Sequence, residues 1–194
     1  MRGMVACETG RIMRNSIMRT CYGLAILTLV FPSGAEPQGS ATGSTSVRQF
    51  VQNFYSWYVP KALDQNESRA WNLALKYKTE DFSPELAKLL SEDSAAQAKC
   101  EELVGIDFDP FLNSQDPAQH YEVGLISQDG QHYFADIHSI EGGKRSEHPR
   151  VKAEVARSNG RWVFTNFLYL DGTDLLSILK LPRPKCGMTR PPGI

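Results

Sequence analysis

The 194-residue chain lacks most of what announces a function. It has no Ser nucleophile elbow, no phosphate-binding glycine loop, no HExxH and no CxxC. The common hydrolase, nucleotide-binding, zinc-protease and dithiol signatures are therefore missing. An excess of charge of one sign is missing too: 21 Lys and Arg stand against 22 Asp and Glu. Nucleic acid needs a clustered basic face, so it is not an expected partner. Long apolar runs are absent as well. The run CYGLAILTLVF, Cys21 to Phe31, falls well short of the roughly 20 residues that span a bilayer.

That short run has another reading. Arg11, Arg14 and Arg19 precede it, and Ser33 and Ala35 follow at the positions a signal peptidase reads. Residues 1–35 are expected to be a secretory signal peptide, with Met13 giving a start of more ordinary length. Cys21 stands at the start of the apolar run rather than after it, so lipoprotein-type cleavage at a cysteine is not supported. The expected location is periplasmic or secreted, with no membrane span in the mature chain. Cleavage after Ala35 leaves 17 of the 21 basic and 21 of the 22 acidic residues, a net charge of −4. The remaining length suits one domain.

Cysteine is scarce: of four, only Cys100 and Cys186 survive cleavage. In an oxidising compartment such a pair is more often bridged than free. Closing so long a loop contributes on the order of 4 kcal/mol by chain entropy. The alternative is two free thiols, with Cys100 a small apolar residue in a helix stripe.

What is present is a clear order of elements. Residues 36–45 (EPQGSATGST) are small and polar and predict a flexible tether. Ser46-x-x-Gln49 matches a capping box, and Val47, Phe50, Val51, Phe54, Tyr55 and Tyr58 recur at helical spacing until Pro60. Trp71, Leu75 and Phe82 mark a partly helical segment. Ser83-Pro84-Glu85 opens a firm helix whose stripe runs through Leu86, Leu89, Leu90, Cys100, Leu103 and Val104, with Gly105 as its terminator. From Tyr121 the period becomes two. Strands are expected at Tyr121–Leu125, His132–Ile140, Val151–Val155 and Arg161–Leu170, with Asn159-Gly160 as a hairpin turn. The last strand is apolar on both faces. A short helix, Asp174 to Lys180, precedes an irregular Pro-rich tail, 181–194. The expectation is a single α+β domain over 46–180, its helices on one face of a four-stranded antiparallel meander.

The densest chemistry lies in GIDFDPFLNSQDP, residues 105–117, with Asp107, Asp109 and Asp116 beside Phe108 and Phe111. An EF-hand reading fails, because Phe111 holds the fifth position, Leu112 the glycine position and Ala118 the twelfth. Paired carboxylates do acid–base work when one is desolvated, and Phe108 and Phe111 offer an apolar wall. The better-matched reading is structural. Asp109-Pro110 and Asp116-Pro117 each resemble an N-cap followed by an N1 proline, with the two Phe rings plugging the core beneath. On the second strand His132, Asp136 and His138 share a face. His132 and His138 stand about 20 Å apart, too far to share a zinc ion.

FYSWY (54–58), the Ser83-Pro84-x-Leu86 helix start, GIDFDPFLNSQD (105–116), and GRWVFTNFLY (160–169) followed by Asp174-Leu175-Leu176 form a combination. Together they resemble the bacterial domain of unknown function 3828, a family of secreted and lipid-anchored envelope proteins. The resemblance covers about residues 46–180. It implies a cone-like helix-on-sheet fold similar to the nuclear transport factor 2-like or cystatin-like group. It implies no established activity, so no catalytic role carries over; the missing lipobox cysteine sets this chain apart from the lipid-anchored members.

A complete fold signature beside an absent catalytic one points to a non-catalytic binding or interaction module. Its partner would be an envelope protein or a small ligand, with no cofactor and no metal. The rival is a small hydrolase or isomerase using a carboxylate in the cone cavity, with Tyr55, Asp107, Asp109 and Tyr121 as candidates; it rests on fold analogy. A third reading is an immunity or inhibitor protein, whose negative charge would suit a basic secreted enzyme.

Overall fold

Helix α1 spans Gly39–Ala62 and carries the apolar stripe that organises the rest. The structure is a computed structural model that describes residues 39–64, 69–101 and 103–183, all within one compact unit, Pro37–Ile194. The expected signal peptide lies outside the described residues, as do Cys186, and with it the Cys100 pairing, and the tail from 184 onward. Helix α1 starts earlier than its capping pattern suggests, so residues 39–45, expected in the tether, are helical. Ser46 is no cap. Its hydroxyl donates to the Gly43 carbonyl at 2.9 Å and accepts the indole N–H of Trp162 at 3.1 Å. Small residues 39–45 let the helix extend backward, and the Trp162 contact holds that extension down. Pro60 sits in the last turn on the exposed side, where it removes the N–H that would bond the Ser56 carbonyl one turn back.

Helix α2 (Ala70–Tyr77) and a 3₁₀ turn (Thr79–Asp81) lead into α3 (Pro84–Gln97). The α3 start follows its sequence signal: Ser83 Oγ accepts from Leu86 N–H at 3.2 Å, with Pro84 in the first turn. Its end does not. The helix stops at Gln97, so Cys100, Leu103 and Val104 fall outside it and Gly105 is not its terminator. No large apolar residue stands between Leu90 and Leu103, too wide a gap for one helical stripe. The buried position in that gap is polar, Asp93.

The strands β1 (His120–Asp129), β2 (His132–Glu141), β4 (Val151–Ser158) and β5 (Arg161–Tyr169) form the antiparallel meander β1-β2-β4-β5. A fifth strand, β3 (Lys144–Arg145), is a two-residue hairpin return inside the polar loop and pairs with β2. Asn159 and Gly160 both take positive φ, 51° and 79°, as the two-residue β4–β5 turn requires. The apolar character of both β5 faces has a specific origin. Val155 pairs with Phe164 but Glu154 with Asn166, so Thr165 is an extra residue in a bulge. The bulge reverses the alternation and puts Trp162 and Phe164 on the same side as Phe167 and Tyr169. The Thr165 hydroxyl is buried there without a partner among the described residues.

Helix α1 lies against β1 and β2, and α3 and α4 (Leu175–Lys180) lie toward β5. Asp174 caps α4, accepting from Ser177 N–H at 2.9 Å. Both sheet edges are partly covered. Arg48 donates to the carbonyls of Val123 and Gly124, at 2.5 and 2.6 Å, and Gln52 exchanges bonds with Tyr121 and Val123. On the far edge Ser83 N–H reaches the Phe164 carbonyl at 2.8 Å. Two α1 side chains and the Ser83 backbone N–H thus satisfy edge groups that would otherwise offer a template for pairing.

Candidate functional site

The helix–sheet interior, where the hydrolase or isomerase reading places a cone cavity, is filled by aromatic rings. Phe54 of α1 stacks on Tyr58 at 5.4 Å and meets Phe164 at 4.8 Å; all three are essentially buried. Phe111 enters from the 109–114 turn and contacts Tyr58, Phe82 and Phe167 at 5.1, 5.2 and 4.9 Å. Burying a ring of this size is worth about 2–3 kcal/mol, which fastens the turn to the core. Phe108 is half-buried, edge-on to Tyr169 at 5.6 Å.

The turn is built on Asp109. One carboxylate oxygen accepts from the backbone N–H of Phe111 at 2.9 Å and Leu112 at 3.1 Å, the N-cap geometry its Asp-Pro pattern predicts. The other accepts from the Tyr58 hydroxyl at 2.5 Å. The Asp109 N–H closes the loop on the Ser114 carbonyl at 2.9 Å. Two more tyrosines hold the carbonyls of the same turn: Tyr55 donates to Phe111 at 2.7 Å and Tyr169 to Pro110 at 3.0 Å. Tyr121 stands beside Tyr55, with rings 6.2 Å apart, and its hydroxyl accepts from Ala118 N–H at 3.2 Å.

Burial pushes the Asp109 carboxyl up to about 6, against the pull of the Tyr58 hydroxyl and the two backbone N–H groups. Burial also raises Tyr55, Tyr58, Tyr121 and Tyr169 above the ordinary phenol range, with the Asp109 charge adding to each. An ionised Asp109 therefore sits among phenols that stay protonated and donate.

Of the four candidate residues, three come together here: Asp109, Tyr55 and Tyr121. Asp107 does not join them. It is exposed, and its backbone carbonyl, not its carboxylate, takes a bond from Gln115 at 3.4 Å. The second expected cap also fails to form, because residues 117–119 make no helical turn and β1 begins at His120. Ser114 Oγ instead bonds both the N–H and the carbonyl of Asp116. A cleft of about 370 Å³ opens outside the turn, lined among others by Lys61, Asp64, Arg69, Trp71, Asp107 and Asp109.

Tyr58 and Tyr169 belong to the site, although their spacing in the sequence assigns them only to apolar faces. The available signal was their hydroxyls, since a buried Tyr O–H nearly always has a partner. Asp93 was missed as well. Buried on α3, it accepts from Ile106 N–H at 3.4 Å and pairs with Arg183 at 3.4 Å, and burial raises its carboxyl. On the outer sheet face, His132 pairs with Glu154 at 2.5 Å, Asp136 with Lys152 at 3.5 Å, and His138 with the Ser146 carbonyl at 2.9 Å. Among the described residues no three His, Cys, Asp or Glu gather as metal ligands.

No protein-family model matches this sequence, and no curated protein matches it. Among solved structures, the chain is similar to a crystal structure of a protein of unknown function from Bacteroides thetaiotaomicron. Identity is 16% and the TM-score 0.45, over 66% of this chain and 92% of the other. No helix of the described residues is long and apolar enough to cross a membrane.

Proposed function

We propose that this protein is a secreted or periplasmic binding module without catalysis, a member of the domain of unknown function 3828 group. One observation carries the reading. The chain's most acid–base-capable side chain, Asp109, has both oxygens committed to cap donors and Tyr58, inside a turn that Tyr55 and Tyr169 clamp. A general acid or base needs a free oxygen within hydrogen-bond reach of the substrate. Asp109 spends that capacity on its own fold.

A second reading keeps one specific support: Asp109 borders the cleft and titrates near 6, the range of a working acid or base. The two are separated by assaying chromogenic esters, phosphates and glycosides with the wild type and Asp109→Asn. Turnover that the substitution abolishes overturns the binding reading. No turnover, together with thermal stabilisation by a low-mass envelope extract, supports it.

The same compartment motivates a Cys100–Cys186 bridge. Thiol titration of the unfolded, unreduced protein should then find neither cysteine reactive; two reactive thiols would defeat both the bridge and much of the case for export.

A further inference from the structure

At the Gly43 end of α1, a groove of about 690 Å³ is lined by Trp162 and Arg157. Arg157 sits 3.9 Å from the Trp162 ring centroid and bonds the Gly160 carbonyl at 2.5 Å, so that ring face is already covered. The cleft at the Lys61 end is different, because the fold delivers a segment of this same chain to it. Asp93 is 1% exposed; it accepts from the Ile106 N–H and pairs with Arg183, three residues past the end of α4. A buried carboxylate is costly without its counter-charge, so Arg183 is held at this point. The Ile106 carbonyl accepts from Arg69, which lines the cleft, at 3.4 Å. One residue of backbone thus separates the Arg183 anchor from the cleft wall, a gap of about 10 Å.

The sequence continues from Arg183 as PKCGMTRPPGI, residues 184–194. At about 3.3 Å per residue it reaches the cleft with chain to spare. Its chemistry is complementary to the lining. The segment carries Lys185 and Arg190 and no acid, whereas the cleft sets Asp64, Asp107 and Asp109 against Lys61 and Arg69. Both of those cations are already engaged. Lys61 bonds the Trp57 carbonyl and lies over its ring, and Arg69 bonds the Ile106 carbonyl and lies over Trp71. Asp107 is exposed, which leaves its carboxylate within reach of an incoming guanidinium. Leu103 lines the cleft while 57% exposed, beside a half-buried Phe108, and an unbranched methionine suits such an irregular apolar wall. Pro191-Pro192 favours an extended chain, which loses little entropy when laid along a cleft. A volume of about 370 Å³ takes a few residues of peptide and no folded partner. A tethered peptide is also present at an effective concentration of millimolar order, an advantage that no free peptide has.

We propose that residues 187–194 fold back into this cleft, with Arg190 on Asp107, Met188 against Leu103 and Phe108, and the Arg183–Asp93 pair as the root of the strap. The docked segment covers the outer side of the Asp109 turn, so a ligand of the cleft has to displace it. The Cys100–Cys186 bridge proposed above fits the same path: Met188 is two residues from Cys186, and Leu103 three from Cys100. The docking stands on Arg183 without the bridge, and it goes beyond the binding-module reading without depending on it.

Met188 is the only methionine after residue 18, so methionine-methyl NMR of the full chain reports on the strap directly. Its resonance is assigned by its loss in Met188→Leu. In the wild type it should lie away from the random-coil position and show cross-peaks to Leu103 and Phe108. Arg190→Glu and Asp107→Arg should each reduce those cross-peaks at least threefold, and the two together should restore at least half of the loss. Asp107 is exposed, so its variant should keep the wild-type melting temperature and report on docking alone. A random-coil methyl, cross-peaks to another part of the domain, indifference to both charge reversals, or no restoration in the double variant would each overturn the proposal. Cross-peaks that fade on dilution would overturn it as well, because they would assign the cleft to the strap of a second copy.

Discussion

The Asp109 turn and the Trp162 groove both set a charged side chain against aromatic rings, yet they do so in opposite states. At Asp109 the charge is buried, met by three donors and surrounded by hydroxyls that point at it or its turn. At Trp162 the charge is exposed, rests on one ring and bonds one carbonyl. About 22 Å of α1, at 1.5 Å per residue, separates Ser46 at the groove from Lys61 at the cleft beside the turn. The first arrangement uses polar groups to hold a turn in the core; the second leaves its charge exposed to solvent. The contrast teaches that an acid cluster in a sequence marks chemistry only when its oxygens remain unspent.

The largest expected effect comes from breaking the first arrangement. Asp109→Ala removes the cap and orphans two backbone N–H groups and the Tyr58 hydroxyl in a buried place. The cost should be about 4 kcal/mol, since each buried unsatisfied group costs about 1–3 kcal/mol and some will relax toward water. Urea denaturation measures it; a loss under 1 kcal/mol would show that the turn is not held this way. The comparison residue, Asp107, is exposed, and Asp107→Ala should fall within about 0.5 kcal/mol.

The next effect is a pH dependence with a definite sign. The Asp109 carboxyl stands at about 6 folded against 3.8 as its reference value, so the folded state holds its proton more tightly. Its contribution to stability is full below about pH 4 and is lost as pH rises through 6. Asp109→Asn keeps a cap oxygen and a neutral partner for Tyr58 but cannot ionise. The stability difference between the Asp109→Asn variant and the wild type should therefore shift toward the variant by about 2.4 kcal/mol from pH 4 to pH 7. A flat difference across that range would mean that Asp109 is not desolvated.

How much of this was legible beforehand follows from the range of each signal. Local signals read well: the Ser83 cap, the Asp109-Pro110 cap, the Asn159-Gly160 turn and the meander order each depend on residues a few positions apart. The misreadings arose where a distant contact decided. Ser46 looks like a cap until Trp162 arrives from β5, and Gly105 looks like a terminator until Asp93 is buried facing Ile106. The β5 bulge at Thr165 is invisible to a period-two count, which puts Trp162 and Phe164 on the face opposite Phe167 and Tyr169 although the extra residue brings all four to one side. The candidate site was half legible. Asp109 and the Phe111 plug could be read from the loop itself, whereas Tyr58 and Tyr169 joined it through side-chain bonds spanning 51 and 59 residues.

A smaller effect probes the clamp by single atoms. Tyr55→Phe and Tyr169→Phe each delete one hydroxyl that donates to a turn carbonyl, leaving the ring packed. Each should cost about 1–1.5 kcal/mol by chemical denaturation. The double variant should depart from additivity, because both hydroxyls hold adjacent carbonyls of one turn. Strict additivity would mean that the two bonds act on separate parts of the fold.

The smallest expected effect on stability is at the groove, and its smallness is what sharpens the contrast. Arg157 is exposed and pairs with no carboxylate among the described residues; it contributes one stacking contact and one carbonyl bond. Exposed cation–π contacts are worth about 0.5–1 kcal/mol, part of which a glutamine stem recovers by lying on the same ring. Arg157→Gln should thus change stability by about 0.5 kcal/mol or less, an order of magnitude below Asp109→Ala. A loss above 2 kcal/mol would place Arg157 with Asp109 as a fold-holding charge and remove the distinction between the two ends. A negligible loss means that the fold does not need this guanidinium where it is.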